Sequence, residues 1–207
     1  MNFDSSKNLS AIGSLLIVIG WIGSAVSYVG VLSLIGAILL LIGLKGLANY
    51  YKEDGIFNNS LYAIISGIVG VVVAGVTIVI TAVATLATLG IDLNNVEEWT
   101  NIGTEMSDYF TAANFGTLWT LISAVIIAFV VLFVFAIIAM YFFRKSINQL
   151  STKTGVGLFG TAVLLMIIGA VLTIVGIGML IIWIGWILVT VAFFRMKEKQ
   201  NQTPPPP

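Results

Sequence analysis

The sequence predicts an all-α fold: a polytopic membrane helix bundle of about six transmembrane helices. Both termini are expected to be cytoplasmic, with one amphipathic surface helix on the extracytoplasmic side. Three observations carry this. Of 207 residues, 59% are hydrophobic and only 9% charged, with a mean hydropathy of +1.10; soluble domains carry about a quarter charged residues. The apolar residues gather into long runs divided by short polar breaks. No Lys or Arg occurs from Glu53 to Phe143, so the basic residues are segregated toward particular run ends.

Met1 to Asn8 is a short polar head with Asp4 and Lys7. The chain is then apolar from Leu9 through Leu44, roughly 54 Å if it were one helix. A bilayer core of about 30 Å cannot hold that, so the run must fold back. Ser27-Tyr28-Val29-Gly30 is the best break, giving helices near 9–27 and 31–49. Ala25-Val26-Ser27 loosely fits a signal-peptide cleavage site, but Lys7 is the only base before the apolar run, so the first segment reads as a span.

Tyr50 to Asn59 is expected to be a polar loop, and a third helix near 60–89 follows. That helix exceeds the length of a single span and must tilt or project. Residues 90–115 form the acidic outer segment, carrying Asp92, Glu97, Glu98, Glu105 and Asp108 and no base. Within it Val96, Trp99, Ile102, Met106, Tyr109 and Phe110 recur every three or four residues, the period of a surface helix with one apolar stripe. Asn95, with Glu98 three residues on, has the spacing of a helix cap.

A fourth helix is expected near 117–143, then a polar loop from Arg144 to Thr154. The next apolar run, Val156 to Phe194, again exceeds one span, and Gly176-Ile177-Gly178 divides it into helices near 156–175 and 179–194. Residues 195–207, ending in four prolines, read as a disordered or extended cytoplasmic tail. Domain organisation is therefore a head at 1–8, a membrane domain at 9–194 and that tail.

With six spans, Lys7, Lys45, Lys52, Arg144, Lys145, Lys153, Arg195, Lys197 and Lys199 all fall on one side. Bases retained at span ends mark the cytoplasmic face. Tyr50-Tyr51-Lys52, Phe142-Phe143-Arg144 and Phe193-Phe194-Arg195 repeat one arrangement, an aromatic pair followed by a base. Hairpins that turned within the bilayer would leave the same charge pattern. Their turns would expose backbone to lipid, which favours full spans, although the short last helix leaves a shallow hairpin open there. The sequons at Asn8, Asn58 and Asn201 fall on the inner side.

Several stretches carry a family resemblance. They are Leu9-Ser-Ala-Ile-Gly-Ser-Leu-Leu16, Leu34-Ile-Gly-Ala-Ile-Leu-Leu-Leu-Ile-Gly43 and Tyr50-Tyr-Lys-Glu-Asp-Gly-Ile-Phe57 in the first part of the chain. Phe143-Arg-Lys-Ser146, Thr154-Gly-Val-Gly-Leu-Phe-Gly-Thr-Ala162 and Ala192-Phe-Phe194 continue it. Together they resemble domain-of-unknown-function family 996, uncharacterised archaeal and bacterial membrane proteins. The resemblance covers most of the chain except the acidic segment. It implies a multi-span protein and assigns no activity, cofactor or catalytic residue.

The chemistry available is narrow. There is no Cys for disulfides, thiolate metal sites or nucleophilic catalysis, and no His for general base or metal-ligand duty. No Asp, Glu, Lys or Arg lies between Leu61 and Leu89, Thr117 and Phe143, or Val156 and Phe194, which argues against a proton relay or an intramembrane protease. The acidic face of the outer segment reads as solvated rather than as a cation site. Nine scattered bases leave no nucleic-acid footprint. No catalytic, cofactor-binding or metal-binding residue is therefore expected.

Two features remain. Thr77, Thr81, Thr85 and Thr88 share a face of the third helix, with Thr120 and Ser123 on the fourth placed to meet them. They read either as a hydroxyl-lined pathway or as hydroxyls bonded to their own helix. Ser66, Gly70 and Ala74 form a small-residue ridge, as do Gly20 with Ser24 and Gly23 with Ser27, and such ridges favour close helix contact. The sequence thus reads as a non-enzymatic multi-pass protein of the cell membrane, a scaffold, subunit or accessory factor. Its partners would be the bilayer and a second copy or another membrane protein; a small-solute channel or transporter is the alternative.

Overall fold

The structure is a computed structural model that describes residues 2–22, 30–88 and 115–198. The acidic amphipathic segment, the turn at Ser27-Tyr28-Val29 and the proline tail lie outside the described residues. The described chain forms six helices and no strand: α1 (Phe3–Ile22), α2 (Gly30–Tyr51), α3 (Asp54–Thr88), α4 (Phe115–Thr154), α5 (Leu158–Leu172) and α6 (Gly178–Arg195). A 3₁₀ turn, Thr173–Val175, extends α5. Among the described residues five segments are long and apolar enough to cross a membrane: Val31–Tyr51, Asp54–Thr88, Trp119–Thr154, Leu158–Val175 and Gly178–Arg195. The expected polytopic helix bundle is the fold observed.

Three boundaries differ from the sequence expectation, each for a physical reason. α1 begins at Phe3 rather than near Leu9. Asn2 caps it, its Oδ1 accepting from the Ser5 amide at 2.9 Å, and Phe3 is buried against Tyr50 and Tyr51. Ser6 and Ser10 look polar in sequence but are buried, their hydroxyls donating to the Asn2 and Ser6 carbonyls. α3 begins at Asp54, so the expected loop shrinks to Lys52 and Glu53.

The polar stretch Arg144–Thr154 is the last part of α4, not a loop. Phe143, Ile147 and Leu150 make a buried stripe through it, and three bases on the other faces hid that period from a hydropathy reading. Gly155, in the left-handed conformation at φ 73°, ends the helix and donates its amide to the Ser151 carbonyl. The start of the expected tail is also docked: Met196 is buried, and Tyr50 donates its hydroxyl to Glu198 at 3.5 Å.

The chain divides into two compact units, residues 1–65 with 137–207, and residues 66–136. The first unit pairs α1 with α2 and α5 with α6 as antiparallel hairpins. α1 and α2 approach backbone to backbone: a Cβ on Gly13 would stand 2.5 Å from the Leu40 amide nitrogen, and one on Gly43 would meet Ser10. α5 and α6 do the same at Gly169 and Gly178. The core between them holds Phe3, Leu44, Leu47, Ile56, Ile147, Leu150, Phe159 and Phe193. Phe159 and Phe193 meet edge to face, 5.0 Å between centroids.

In the second unit the seam between α3 and α4 is made of small side chains. Gly70 lies against Phe135, and Ala74, Ala124 and Ala128 are buried. The ridge expected at Ser66, Gly70 and Ala74 is therefore used within the chain. Of the α1 ridge, Gly20 lies against Ser33 of α2 and the other three residues lie outside the described residues.

Candidate functional site

One cluster of polar side chains in the first unit lies where the start of α3 meets the end of α4. Ser60 and Ser146 are both buried, with hydroxyl oxygens 2.7 Å apart. Ser146 donates onward to the Ile56 carbonyl at 2.5 Å, which leaves Ser60 as the donor between the two serines. Beside Ser60, Asn59 donates to the Gly55 carbonyl at 2.6 Å and to Gln149 Oε1 at 3.4 Å. Glu53 and Lys153 form an ion pair at 3.0 Å at the edge of the cluster. Every one of these groups is engaged with another part of the same chain, so the cluster clamps two helices. Sequence reasoning missed it, because Ser146, Gln149 and Lys153 sit in a stretch that reads as a loop.

Next to this clamp lies an apolar cavity of about 230 Å³. Trp21, Leu40, Ala63, Met140, Phe143 and Trp186 are among its walls, with Ser33 and Ser60 the only hydroxyls on it. Trp183 is turned elsewhere, donating its indole N–H to the Val18 carbonyl at 3.1 Å. The aromatic pair that sequence places at the membrane boundary, Phe142 and Phe143, is engaged in packing. Phe142 contacts Tyr62 at 5.5 Å and Phe143 contacts Trp186 at 5.2 Å between ring centroids.

The second unit contains the hydroxyl face. Thr81, Ala84, Thr85 and Thr88 of α3 and Gly116 and Thr120 of α4 line a cavity of about 190 Å³. Both readings of these hydroxyls find support. Thr77, Thr88 and Thr120 donate to carbonyls four residues back, and Ser123 donates to the Thr120 carbonyl. Thr81 and Thr85 line the cavity without such a bond, and Thr85 is buried. The structure thus brings Thr81, Thr85, Thr88 and Thr120 together, as their spacing suggested.

Among the described residues no group of three Asp or Glu stands together. Glu97, Glu98, Glu105 and Asp108 lie outside the described residues.

The known proteins that this chain is similar to carry no assigned function. An uncharacterised protein of Methanocaldococcus jannaschii, MJ1644, is 28% identical over 182 residues, covering 83% of this chain and 85% of the relative. No solved structure matches. Residues 32–187 match the model of the family described as "Protein of unknown function (DUF996)", from the start of α2 to the middle of α6. A match over so much of the chain, on a bundle of apolar helices, places this protein in the DUF996 family.

Proposed function

We propose that this protein is a non-enzymatic component of the cell membrane, acting by packing against another membrane protein or a second copy of itself. Both termini face the cytoplasm in this reading. The observation that carries it is an unused small-residue face on α3. Gly67 and Gly75 have open space where a Cβ would stand, while Gly70 on another face is filled by Phe135. Val71 and Val79 continue the open face, each 60% exposed or more. Small residues at helical spacing let a second backbone approach closely in lipid, and Gly67 and Gly75, eight residues apart with Val71 between them, leave two such openings on this face.

The test is purification of a tagged chain after mild solubilisation. A second membrane protein or second copy in fixed stoichiometry is the expected result; a lone chain, with nothing in constant ratio, contradicts it.

A second reading rests on the cavity lined by Thr81 and Thr85, which, unlike Thr77, Thr88 and Thr120, do not bond a carbonyl of their own helix. Here the protein passes or holds a small polar solute. Replacing both residues with Val removes the hydroxyls at constant shape. Flux into liposomes that survives the double replacement rules this reading out.

A further inference from the structure

A groove between α4 and α5 combines an apolar trough with a single guanidinium. Ile137, Met140 and Arg144 follow one another at helical spacing on one face of α4, and Ile167, Ala170 and Val171 of α5 form the facing wall. Together with Tyr141 they enclose about 170 Å³. From Ile137 to Arg144 the trough runs about 10 Å along the helix. We propose that this groove holds one phosphate-bearing lipid, its phosphate on Arg144 and one hydrocarbon chain along the trough.

The charge at the groove's end asks for an anion. Arg144 is exposed, and among the described residues no carboxylate pairs with it; the two ion pairs there are Lys7 with Asp4 and Lys153 with Glu53. A guanidinium presents a planar fork of donors that matches two phosphate oxygens at once. Tyr141, 62% exposed beside it, offers an apolar ring with a polar tip, the side chain that suits a headgroup boundary.

The rest of the groove selects the lipid over a free anion. Apart from Arg144 and Tyr141 its walls are wholly apolar, and an inorganic ion would leave them empty. A helix about 10 Å across needs more room than the groove's 170 Å³ provides, whereas a stretch of one hydrocarbon chain needs less. Val171, 53% exposed, forms part of the rim, so a chain can enter from the side. Lys145 is the next residue, turned about 100° round α4, and belongs to no wall of the groove.

Native mass spectrometry of the purified full-length chain in detergent tests this, with dioleoylphosphatidylglycerol, dioleoylglycerol and inorganic phosphate as separate probes. One phosphatidylglycerol molecule should survive on the protein, at least tenfold more occupied than dioleoylglycerol. Arg144→Gln should lower that occupancy about tenfold, Val171→Trp should do the same by filling the trough, and Lys145→Gln should leave it unchanged. All three positions are exposed, and unchanged circular dichroism and elution confirm that each variant folds. Equal retention by Arg144→Gln or Val171→Trp, or equal retention of dioleoylglycerol, overturns the proposal. Displacement of the lipid by millimolar inorganic phosphate also overturns it, because the site would then be one for the free ion.

Discussion

Ser60 of α3 and Ser146 of α4 lie 86 positions apart in sequence, yet both are buried and their hydroxyl oxygens stand 2.7 Å from each other. The Ser146 hydrogen is committed to the Ile56 carbonyl, so the pair forms a directed chain from Ser60 through Ser146 to the α3 backbone. A buried hydroxyl left unpaired costs about 1–3 kcal/mol. Ser60, four residues beyond Ile56, can drop back onto the same carbonyl when its partner is removed. Ser146→Ala should therefore cost only about 1 kcal/mol. Ser60→Ala should cost less, and the double variant should lose less than the sum of the two. Unfolding titrations in mixed micelles check this; strict additivity would mean the two serines do not act as a unit.

The turn between α2 and α3 holds a residue poorly suited to it. Lys52 has φ 52°, the left-handed conformation, and the adjacent amides close the helix end: Glu53 donates to Ala48 and Lys52 to Asn49. Glycine is the usual occupant of such a position because it has no Cβ to crowd the following carbonyl. Lys52→Gly should raise stability by about 0.5–1 kcal/mol. A loss of stability on the same titration would mean that the lysine side chain does more here than the backbone conformation costs.

Glycines that look alike in sequence should behave in opposite ways. A Cβ at Gly13 meets the Leu40 backbone, which cannot give way without parting α1 from α2. Gly13→Ala should cost about 1–3 kcal/mol through overpacking. Gly75 faces open space, and Gly75→Ala should be neutral or stabilise the chain by up to about 1 kcal/mol through helix propensity. Thermal unfolding of the two variants side by side separates them.

This contrast shows how much the sequence makes legible. Membrane class, a many-helix bundle and the breaks near Lys52 and Gly176 follow from hydropathy and turn residues. The ends of helices do not. Hydropathy registers Ser6, Ser10 and Ser146 as polar, although their hydroxyls bond within the bundle and they pack like small apolar residues. Arg144, Lys145 and Lys153 likewise mask the Phe143, Ile147 and Leu150 stripe. Spacing alone gathers the threonines of α3 into one face, but not which of them bond their own helix and which line the cavity. Nor does spacing tell Gly70, closed by Phe135, from Gly75, open to a neighbour.

The open face of α3 is where the proposed role meets a single number, the mass of the complex carrying this 22.1 kDa chain when it is released from native membranes under mild conditions. Measured by native mass spectrometry for the wild type and for Gly75→Leu, which fills the open face without touching the Gly70 seam, it tests the packing role directly. The account predicts a defined assembly heavier than one chain for the wild type, and a lone folded chain for the variant. A wild type that runs as a single 22.1 kDa chain, or an assembly that Gly75→Leu leaves intact, contradicts it.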